Sequence, residues 1–302
     1  MKVIFVFVDG IGFGEENESN PFYDFNLSFF NEITDGRGLT KKFNEIKSDH
    51  LVHLKIDATM GVSGLPQSGT GQTALFTGVN AAYIVGRHFG PYPHSKLKPH
   101  LSENSLFKDS ISRGFKPHFI NAYPDLFFEK AEKKQRWTCT TLMTKKAGLE
   151  LNTVSDVQQK RAITAEITQN VWREKLKVNV PEVTPESAAG RLVKATRNYD
   201  LILYEYYLTD KAGHSKDPEA AKSVLIKLDR FLYHIFKNKP DDTVMILSSD
   251  HGNLENISIK THTLNPVPWI VSGPGAKIAD DVTSIMDVKS AILKLLENKS
   301  SK

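Results

Sequence analysis

Cysteine is nearly absent from this chain, which has a single one, Cys139, in 302 residues. One thiol cannot form an intrachain disulfide or build a cysteine-rich metal site, so any metal must be held by oxygen and imidazole ligands. Long hydrophobic runs are missing too. The apolar stretch 3–8 is too short for a secretory signal, and no stretch approaches the length of a membrane span. We therefore expect a cytoplasmic protein with no membrane partner.

An excess of charge of one sign is also missing. The chain has 39 Lys and Arg against 35 Asp and Glu, a formal net charge of +4, and the two signs are interleaved. Without a basic tail or block, nucleic-acid binding is not predicted. At this length and with 40% hydrophobic residues, the chain can bury a sizeable core in one large domain with a subdomain, or in two domains.

Apolar, β-branched runs alternate with amphipathic helical patterns along the chain. The runs are 3–9, 51–57, 116–121, 201–208, 244–247 and 269–272, and the clearest helical patterns are 218–236 and 288–296. This alternation predicts an α/β fold, a doubly wound, mostly parallel sheet whose ligands bind beyond the carboxyl ends of the strands.

The segment 124–186 breaks this alternation, because it is polar and has mixed periodicity. We interpret it as a small cap inserted into a core domain formed by residues 1–123 and 187–302. Its nearly balanced charges do not predict a strong clamp for anions.

A pair of potential metal ligands follows the run 244–247. Asp250 and His251 come at its end, Gly252 allows a tight turn, and His262 returns from the following loop. A carboxylate and an imidazole at the end of a buried strand need compensation for lost solvation, which favours a metal site.

A second carboxylate–imidazole pair, Asp210 and His214, follows the run 201–208. Their spacing of four residues places both side chains on one face of a helical turn, where they could bind one ion. An exposed polar pair on a loop explains the spacing equally well. Counted with Asp250, His251 and His262, these residues suggest two metal ions.

Asp9 ends the first apolar run and precedes the glycine-rich stretch 10–14. Three interpretations remain open: a turn capped by Asp9, a metal-ligand carboxylate, or a dinucleotide-binding loop. The third glycine comes one residue too early for G-x-G-x-x-G, which weakens the last interpretation.

A second glycine-rich stretch, 64–73, superficially resembles a phosphate-binding loop. Thr70 occupies the position where such a loop requires lysine. What remains is the hydroxyl of Thr73 at or near a predicted helix N-terminus, where it is either a nucleophile or a capping group.

Five motifs follow one another along the chain: Asp9, the stretch 64–73, Asp210 to His214, Asp250 to Asn253, and His262 with Thr263. In this order they resemble the metalloenzyme domain of the alkaline phosphatase superfamily, and most closely the cofactor-independent phosphoglycerate mutases and phosphopentomutase-like proteins. The resemblance covers residues 1–121 and 187–302, and it implies an alkaline phosphatase-like core with two divalent ions, Zn²⁺ or Mn²⁺. The implied ligands are Asp9, Thr73, Asp250 and His251 for one ion, and Asp210, His214 and His262 for the other.

The resemblance also implies a reaction. Thr73 would attack the phosphoryl group of a small phosphorylated substrate, and water would then hydrolyse the phospho-threonine. Arg87, Arg136 and Lys211 are candidate phosphate contacts, or else solvated surface cations.

Because the cap is much shorter than a mutase insertion, a phosphoester hydrolase is favoured over a phosphomutase of the cofactor-independent phosphoglycerate mutase type. Lys211 also departs from the mutase pattern, which has an apolar residue there. The motifs are also compatible with sulfate or phosphonate ester hydrolysis, with a silent metal-binding domain or, through the stretch 9–14, with a nicotinamide-dependent dehydrogenase.

Overall fold

The alternating strands and helices form a central sheet with helices on both faces. The structure is a computed structural model that describes residues 1–298. The strands are β1 (Lys2–Val8), β2 (Ile46–Lys47), β3 (Leu51–Ile56), β4 (Pro117–Phe119), β5 (Asn121–Ala122), β6 (Ile163–Thr164), β7 (Leu201–Tyr206), β8 (Thr243–Ser248) and β9 (Val267–Ser272). The helices are α1 (Pro21–Asp24), α2 (Ser28–Thr34), α3 (Ser68–Thr77), α4 (Ala81–Val85), α5 (Lys98–Glu103), α6 (Leu106–Ser112), α7 (Asp125–Lys134), α8 (Cys139–Lys146), α9 (Val154–Gln158), α10 (Asn170–Glu174), α11 (Pro185–Ala195), α12 (Leu208–Ser215), α13 (Pro218–Asn238) and α14 (Val288–Glu297).

The main sheet has the strand order β2-β3-β9-β8-β1-β7-β4. The strands β4, β7, β1 and β8 are mutually parallel, whereas β9 runs antiparallel to both β8 and β3. The prediction of an α/β fold with a mostly parallel sheet is therefore confirmed. Strands buried on both faces need continuous apolar runs, which is why these segments lack the polar alternation of half-exposed strands.

Helices cover both faces of the sheet, so β1 contributes to two separate cores. Val3, Phe5 and Phe7 point into the core that includes α3 and α14. Ile4 and Val6 point into the opposite core, which includes α2 and α13. Successive residues of a strand face opposite sides of the sheet, so one apolar run supplies both layers.

Helix α13 begins where the sequence predicts. Asp217 accepts a hydrogen bond from the Glu219 amide, and Pro218 occupies the first helical position. Its apolar side chains form one buried stripe, so the helix lies on the sheet and exposes its polar face. Within residues 1–298, no helix combines the length and apolar character needed to cross a bilayer.

Asp229 on α13 caps the N-terminus of a neighbouring helix. Its carboxylate accepts hydrogen bonds from the Ser28, Phe29 and Phe30 amides at 2.8, 2.9 and 3.3 Å. The N-cap residue of α2, Leu27, provides no side-chain acceptor of its own, so these amides depend on Asp229.

We expect Asp229→Ala to lower the free energy of unfolding by about 2 kcal/mol, because three amides at a buried helix end lose their acceptor. Urea denaturation measures the loss. Asp241→Ala, which removes an exposed carboxylate, is the matched control and should leave stability unchanged. Equal stabilities of the two variants would contradict this role of Asp229.

The segment 124–186 is divided between a cap and the core. We interpret α7, α9, α10 and β6 as the cap: β6 pairs with β5, and a small apolar cluster includes Val157 and Trp172, although Phe127 and Phe128 of α7 pack against the main core. Helix α8 instead packs against α3, α5 and α6, with Cys139 and Met143 in the main core. The expected boundary at 187 falls inside α11, and residues 299–302 of the expected core lie outside the described residues.

Candidate metal centre

Three adjacent parallel strands, β8, β1 and β7, deliver the predicted ligands to one edge of the sheet. Asp9 follows β1, Asp250 and His251 follow β8, and Asp210 lies in α12, directly after β7. Gly10 makes the close approach possible: its φ is +73°, and a Cβ there would lie 2.8 Å from the Cβ of Asp210. The carboxyl ends of parallel strands thereby bring residues from distant parts of the chain into one site.

The first cluster is centred on His251. Its Nε2 lies 3.3 Å from Asp9 Oδ1, 3.6 Å from Asp250 Oδ2 and 3.1 Å from the Ser68 hydroxyl oxygen. All four side chains are buried. Among the described residues, neither Asp9 Oδ1 nor Asp250 Oδ2 has a hydrogen-bond partner. Buried carboxylate oxygens without partners are costly, and a cation would satisfy them.

The second cluster is built on Asp210, whose two oxygens each lie 3.3 Å from an imidazole Nε2, one of His262 and one of His214. The two Nε2 atoms are 3.2 Å apart. The Nδ1 atoms lie 2.6 Å from the carbonyl oxygens of Pro66 and Lys260. A carbonyl only accepts, so each Nδ1 carries a proton, and in the neutral form of each ring the Nε2 atom carries a lone pair that faces the other ring. Converging lone pairs and a carboxylate are a donor set for a cation.

The two clusters are contiguous, because the rings of His251 and His262 stack with their centroids 3.8 Å apart. His251 belongs to both groups of side chains whose ligand atoms lie within 4.8 Å of one another. The structure thus brings together the six predicted Asp and His ligands, namely Asp9, Asp210, His214, Asp250, His251 and His262.

Electrostatics of the buried groups also fit bound cations. Burial, followed by the charge of Asp250, raises the pKa of Asp9 well above its usual range. Burial likewise raises the pKa of Asp250 to about 8 and lowers that of His251 to about 3. Burial alone would raise the pKa of Asp210, but hydrogen bonds from His262 and Asn253 lower it to about 2. Divalent cations would reverse the unfavourable repulsion among these carboxylates.

Thr73 does not face this cluster. Its hydroxyl donates to the Gly69 carbonyl at 2.6 Å and lies 3.7 Å from Cys139 Sγ, in the fully buried contact between α3 and α8. Helix α3 begins at Ser68, five residues before Thr73, so the two side chains point in directions about 140° apart. The Ser68 hydroxyl, and not that of Thr73, therefore contacts a side chain of the cluster.

A cavity of about 520 Å³ opens onto the cluster. Asp9, Ser68, Asp210 and Lys211 line it, and the other lining residues come both from the core, such as Gln72 and Tyr92, and from the cap, such as Trp172. Of the three predicted phosphate contacts, Lys211 alone lines this cavity within the described part of the chain. Arg136 lies over the Tyr92 ring, 4.4 Å from its centroid, and lines an adjacent cavity. Arg87 is exposed and lies outside the cavity lining.

The sequence model of the Metalloenzyme superfamily matches residues 1–300 of this chain. The chain belongs to this superfamily. The resemblance inferred from the five motifs is therefore confirmed. A 2,3-bisphosphoglycerate-independent phosphoglycerate mutase of Ehrlichia ruminantium is 32% identical over 130 residues, which cover 40% of this chain and 26% of the relative. A mutase of the same name from Methanocaldococcus jannaschii is 30% identical over 112 residues, covering 37% and 26%. The matches span about a quarter of the length of these relatives.

Solved structures of the same fold match along nearly the whole chain. A protein of Pyrococcus horikoshii aligns with a TM-score of 0.61 and 13% identity, covering 100% of this chain and 98% of the other. An alkaline phosphatase from the Antarctic bacterium TAB5 aligns with a TM-score of 0.56 and 12% identity, covering 99% and 98%. At these identities the likeness shows the fold alone.

Two acidic residues of this metalloenzyme were not predicted. Glu255 organises the turn after β8: it accepts a hydrogen bond from the Asn253 amide at 2.7 Å and another from the Thr263 hydroxyl. Asn253 in turn donates to Asp210 Oδ1 at 2.6 Å, which orients that carboxylate. Glu255 lies only four residues after His251, so the sequence could have indicated that it belongs to the same turn.

The second residue is Glu205 of β7, whose buried carboxyl lines the cavity together with Asp9 and Ser68. The Thr140 hydroxyl donates to it at 2.6 Å. Burial raises the pKa of Glu205 to about 7, despite that hydrogen bond. In the sequence, a single glutamate inside an apolar run does not indicate that its carboxyl lines a cavity.

We expect Glu205→Gln to stabilise the chelator-treated protein above pH 7 but not near pH 4. Because the folded-state pKa of Glu205 is raised, the wild type loses stability as pH rises from about 4.5 through 7, and the neutral glutamine avoids that loss. The difference in unfolding free energy should grow by about 3 kcal/mol between pH 4 and pH 8. Urea denaturation at both pH values measures it, and a difference that stays constant would contradict the shifted pKa.

Proposed function

We propose that this chain is a metal-dependent phosphoester hydrolase in which Ser68 is the nucleophile. The observation that carries this proposal is the position of the Ser68 hydroxyl, 3.1 Å from His251 Nε2, within the cluster that includes Asp9 and Asp250. Ser68 is also the first residue of α3 and lines the cavity. A helix N-terminus favours an anion, and therefore favours both an ionised hydroxyl and a phosphoryl group.

Two divalent ions, Zn²⁺ or Mn²⁺, fit the donor set of oxygens and imidazole nitrogens. Asp9, Asp250, His251 and Ser68 would hold one, and Asp210, His214 and His262 the other. Bound there, the ions would lower the pKa of the Ser68 hydroxyl and neutralise charge on the phosphoryl oxygens. Three carboxylates and one alkoxide carry four negative charges, which balance two divalent cations.

In this proposal the reaction proceeds in two successive displacements at phosphorus. The Ser68 oxygen forms a bond to phosphorus while the bond from phosphorus to the leaving oxygen breaks, and the departing alkoxide takes a proton from water. A water molecule next attacks the phosphoserine, which releases inorganic phosphate and restores the hydroxyl. Lys211, which lines the cavity, would contact phosphate oxygens.

A phosphomutase is the second candidate, because the curated relatives named above are phosphoglycerate mutases. A mutase has to hold a phosphoglycerate carboxylate as well as its phosphate and keep the phosphoenzyme dry. Within the described residues, Lys211 is the one Lys or Arg in the cavity lining, and this supports hydrolysis over phosphoglycerate transfer.

An assay of product type separates the candidates. The protein is incubated with phosphomonoesters, phosphodiesters, a sulfate ester, and 2- and 3-phosphoglycerate, each in the presence of Mn²⁺ or Zn²⁺. We expect phosphate release from monoesters that depends on added metal. Interconversion of the two phosphoglycerates without phosphate release would establish the mutase instead, and turnover of the sulfate ester alone would establish a sulfatase.

A further inference from the structure

The cavity beside Ser68 is polar at one end and apolar along its walls. Asp9, Ser68, Asp210 and Gln72, which donates to Asp9, form the polar end, and Asn121, Thr138 and Glu205 are further polar residues of the lining. The walls are formed mainly by aromatic and aliphatic side chains, namely Tyr123, Phe127, Val171, Trp172, Leu176 and Tyr207. A phosphoryl group at Ser68 would therefore direct its ester substituent along an apolar surface.

Contacts with other side chains hold several of these wall residues in place. Tyr123 and Phe127 stack with their ring centroids 4.1 Å apart, which gives one wall a rigid aromatic surface. Trp172, on α10 of the cap, is 6% exposed and belongs to the cap's apolar cluster. The aromatic residues from both sides thus lie in fixed positions around the cavity.

The apolar surface continues toward solvent. Val171 and Leu176 are each 39% exposed, and Tyr207 is 46% exposed, although all three line the cavity. Leu176 also lines an adjoining cavity of about 310 Å³, together with Leu126, which is 44% exposed. Exposed apolar side chains that continue from a reaction site are typical of a binding groove.

Charge in the cavity argues against a strongly anionic substituent. Within the described residues, the lining has one cation, Lys211, and three carboxyl groups, those of Asp9, Glu205 and Asp210. A carboxylate or second phosphate against the apolar walls would lose solvation without gaining a partner.

On these grounds, and resting on the proposed hydrolase function, we infer that the substrate is a phosphomonoester with an apolar alkyl or aryl substituent, which binds between Tyr123, Phe127, Val171, Trp172 and Leu176. Hydrolysis breaks the bond between phosphorus and the substituent's oxygen. The products are inorganic phosphate and an apolar alcohol or phenol.

The test compares ethyl phosphate with hexyl phosphate, because their leaving alcohols are almost equally acidic and differ mainly in apolar surface. Each methylene that becomes buried contributes about fourfold in transition-state binding. We expect kcat/KM for hexyl phosphate to exceed that for ethyl phosphate by about tenfold or more. Equal values for the two esters would overturn the inference, while metal-dependent hydrolysis of both would leave the hydrolase proposal standing.

Binding is measured separately from turnover, so that a failure of the hydrolase proposal can be distinguished from a failure of the apolar site. Calorimetry with hexylphosphonate and ethylphosphonate, which cannot be hydrolysed, should show tighter binding of the hexyl compound to the metal-loaded protein by a similar factor. If no ester is hydrolysed but this preference holds, the hydrolase proposal fails and the apolar site stands. If neither compound binds better than the other, the apolar site fails.

Two exposed wall residues provide the variants. In Val171→Ser combined with Leu176→Ser, we expect the hexyl-to-ethyl ratio of kcat/KM to fall at least about threefold, because apolar contact area is lost. Ile226→Ser, an equally exposed substitution on α13, is the matched control and should keep the ratio. A ratio that is the same in all three proteins would contradict the assigned wall.

Discussion

Ser68→Ala is expected to reduce kcat for phosphoester hydrolysis by about a thousandfold or more, because removal of a nucleophile removes the covalent route. The hydroxyl is the group at the start of α3 that lies in the ligand cluster, 3.1 Å from His251 Nε2. Steady-state kinetics with a chromogenic phosphomonoester and saturating metal measures the loss. Metal content, determined in parallel, shows whether the site is still loaded.

Thr73→Val is the matched control, since it removes a hydroxyl from the same helix and nearly preserves the shape of the side chain. That hydroxyl donates to the Gly69 carbonyl and faces Cys139, so activity should persist while the free energy of unfolding falls by about 1 kcal/mol. The opposite result, an inactive Thr73→Val beside an active Ser68→Ala, would restore Thr73 as the nucleophile.

A trapped intermediate gives a second readout of the same prediction. Denaturation of the protein during turnover should yield a fraction of chains heavier by one phosphoryl group, with Ser68 as the modified residue in the fragment spectrum. Ser68→Ala should lack this species. Phosphate on Thr73 or on a histidine would contradict the assignment.

Metal removal is expected to abolish activity and to destabilise the fold, with the larger effect at higher pH. In the chelated protein the raised pKa values of Asp9 and Asp250 mean that stability falls as pH rises from about 4 through 8. Bound cations require the ionised carboxylates, so affinity for metal rises over the same interval. At a metal concentration a thousandfold above Kd, the stabilisation is about 4 kcal/mol.

Thermal unfolding of metal-loaded and chelated protein at pH 6 and pH 8 measures this effect. The difference in Tm should be larger at pH 8, and a difference that is equal at both pH values would contradict the cluster's role.

Asp210→Ala should lower the bound metal from two ions toward one and reduce kcat/KM by about a hundredfold or more. Glu18→Ala, at an exposed carboxylate, should change neither quantity.

Much of the site was predictable because its chemistry is local in sequence. Asp250 and His251 follow directly on an apolar strand, and Asp210 and His214 are separated by four residues after another. Once the sheet is parallel, adjacent strand ends meet at one edge, so a correct strand assignment brings the six Asp and His side chains together. Their roles as ligands remain predictions, which the metal measurements above test.

The choice between Ser68 and Thr73 depended on where α3 begins, and packing decides that. A Cβ at position 69 would clash with the Tyr92 carbonyl oxygen, and one at position 71 would lie 2.6 Å from the Asp250 carbonyl oxygen. Gly69 and Gly71 therefore let the first turn of the helix pack directly against two other segments. Both contacts join residues far apart in the chain, so local propensity could not locate the helix start.

The sequence by itself determined the class of fold and indicated which carboxylate and imidazole side chains lie together, because strand periodicity and adjacent motifs are local properties. Only the tertiary structure decided which hydroxyl faces the donors, that α8 belongs to the core, that Glu205 lines the cavity and that the cap contributes apolar walls. Each of these depends on the direction of a side chain relative to a distant segment. That direction is set by close packing between elements, which no spacing within one element encodes.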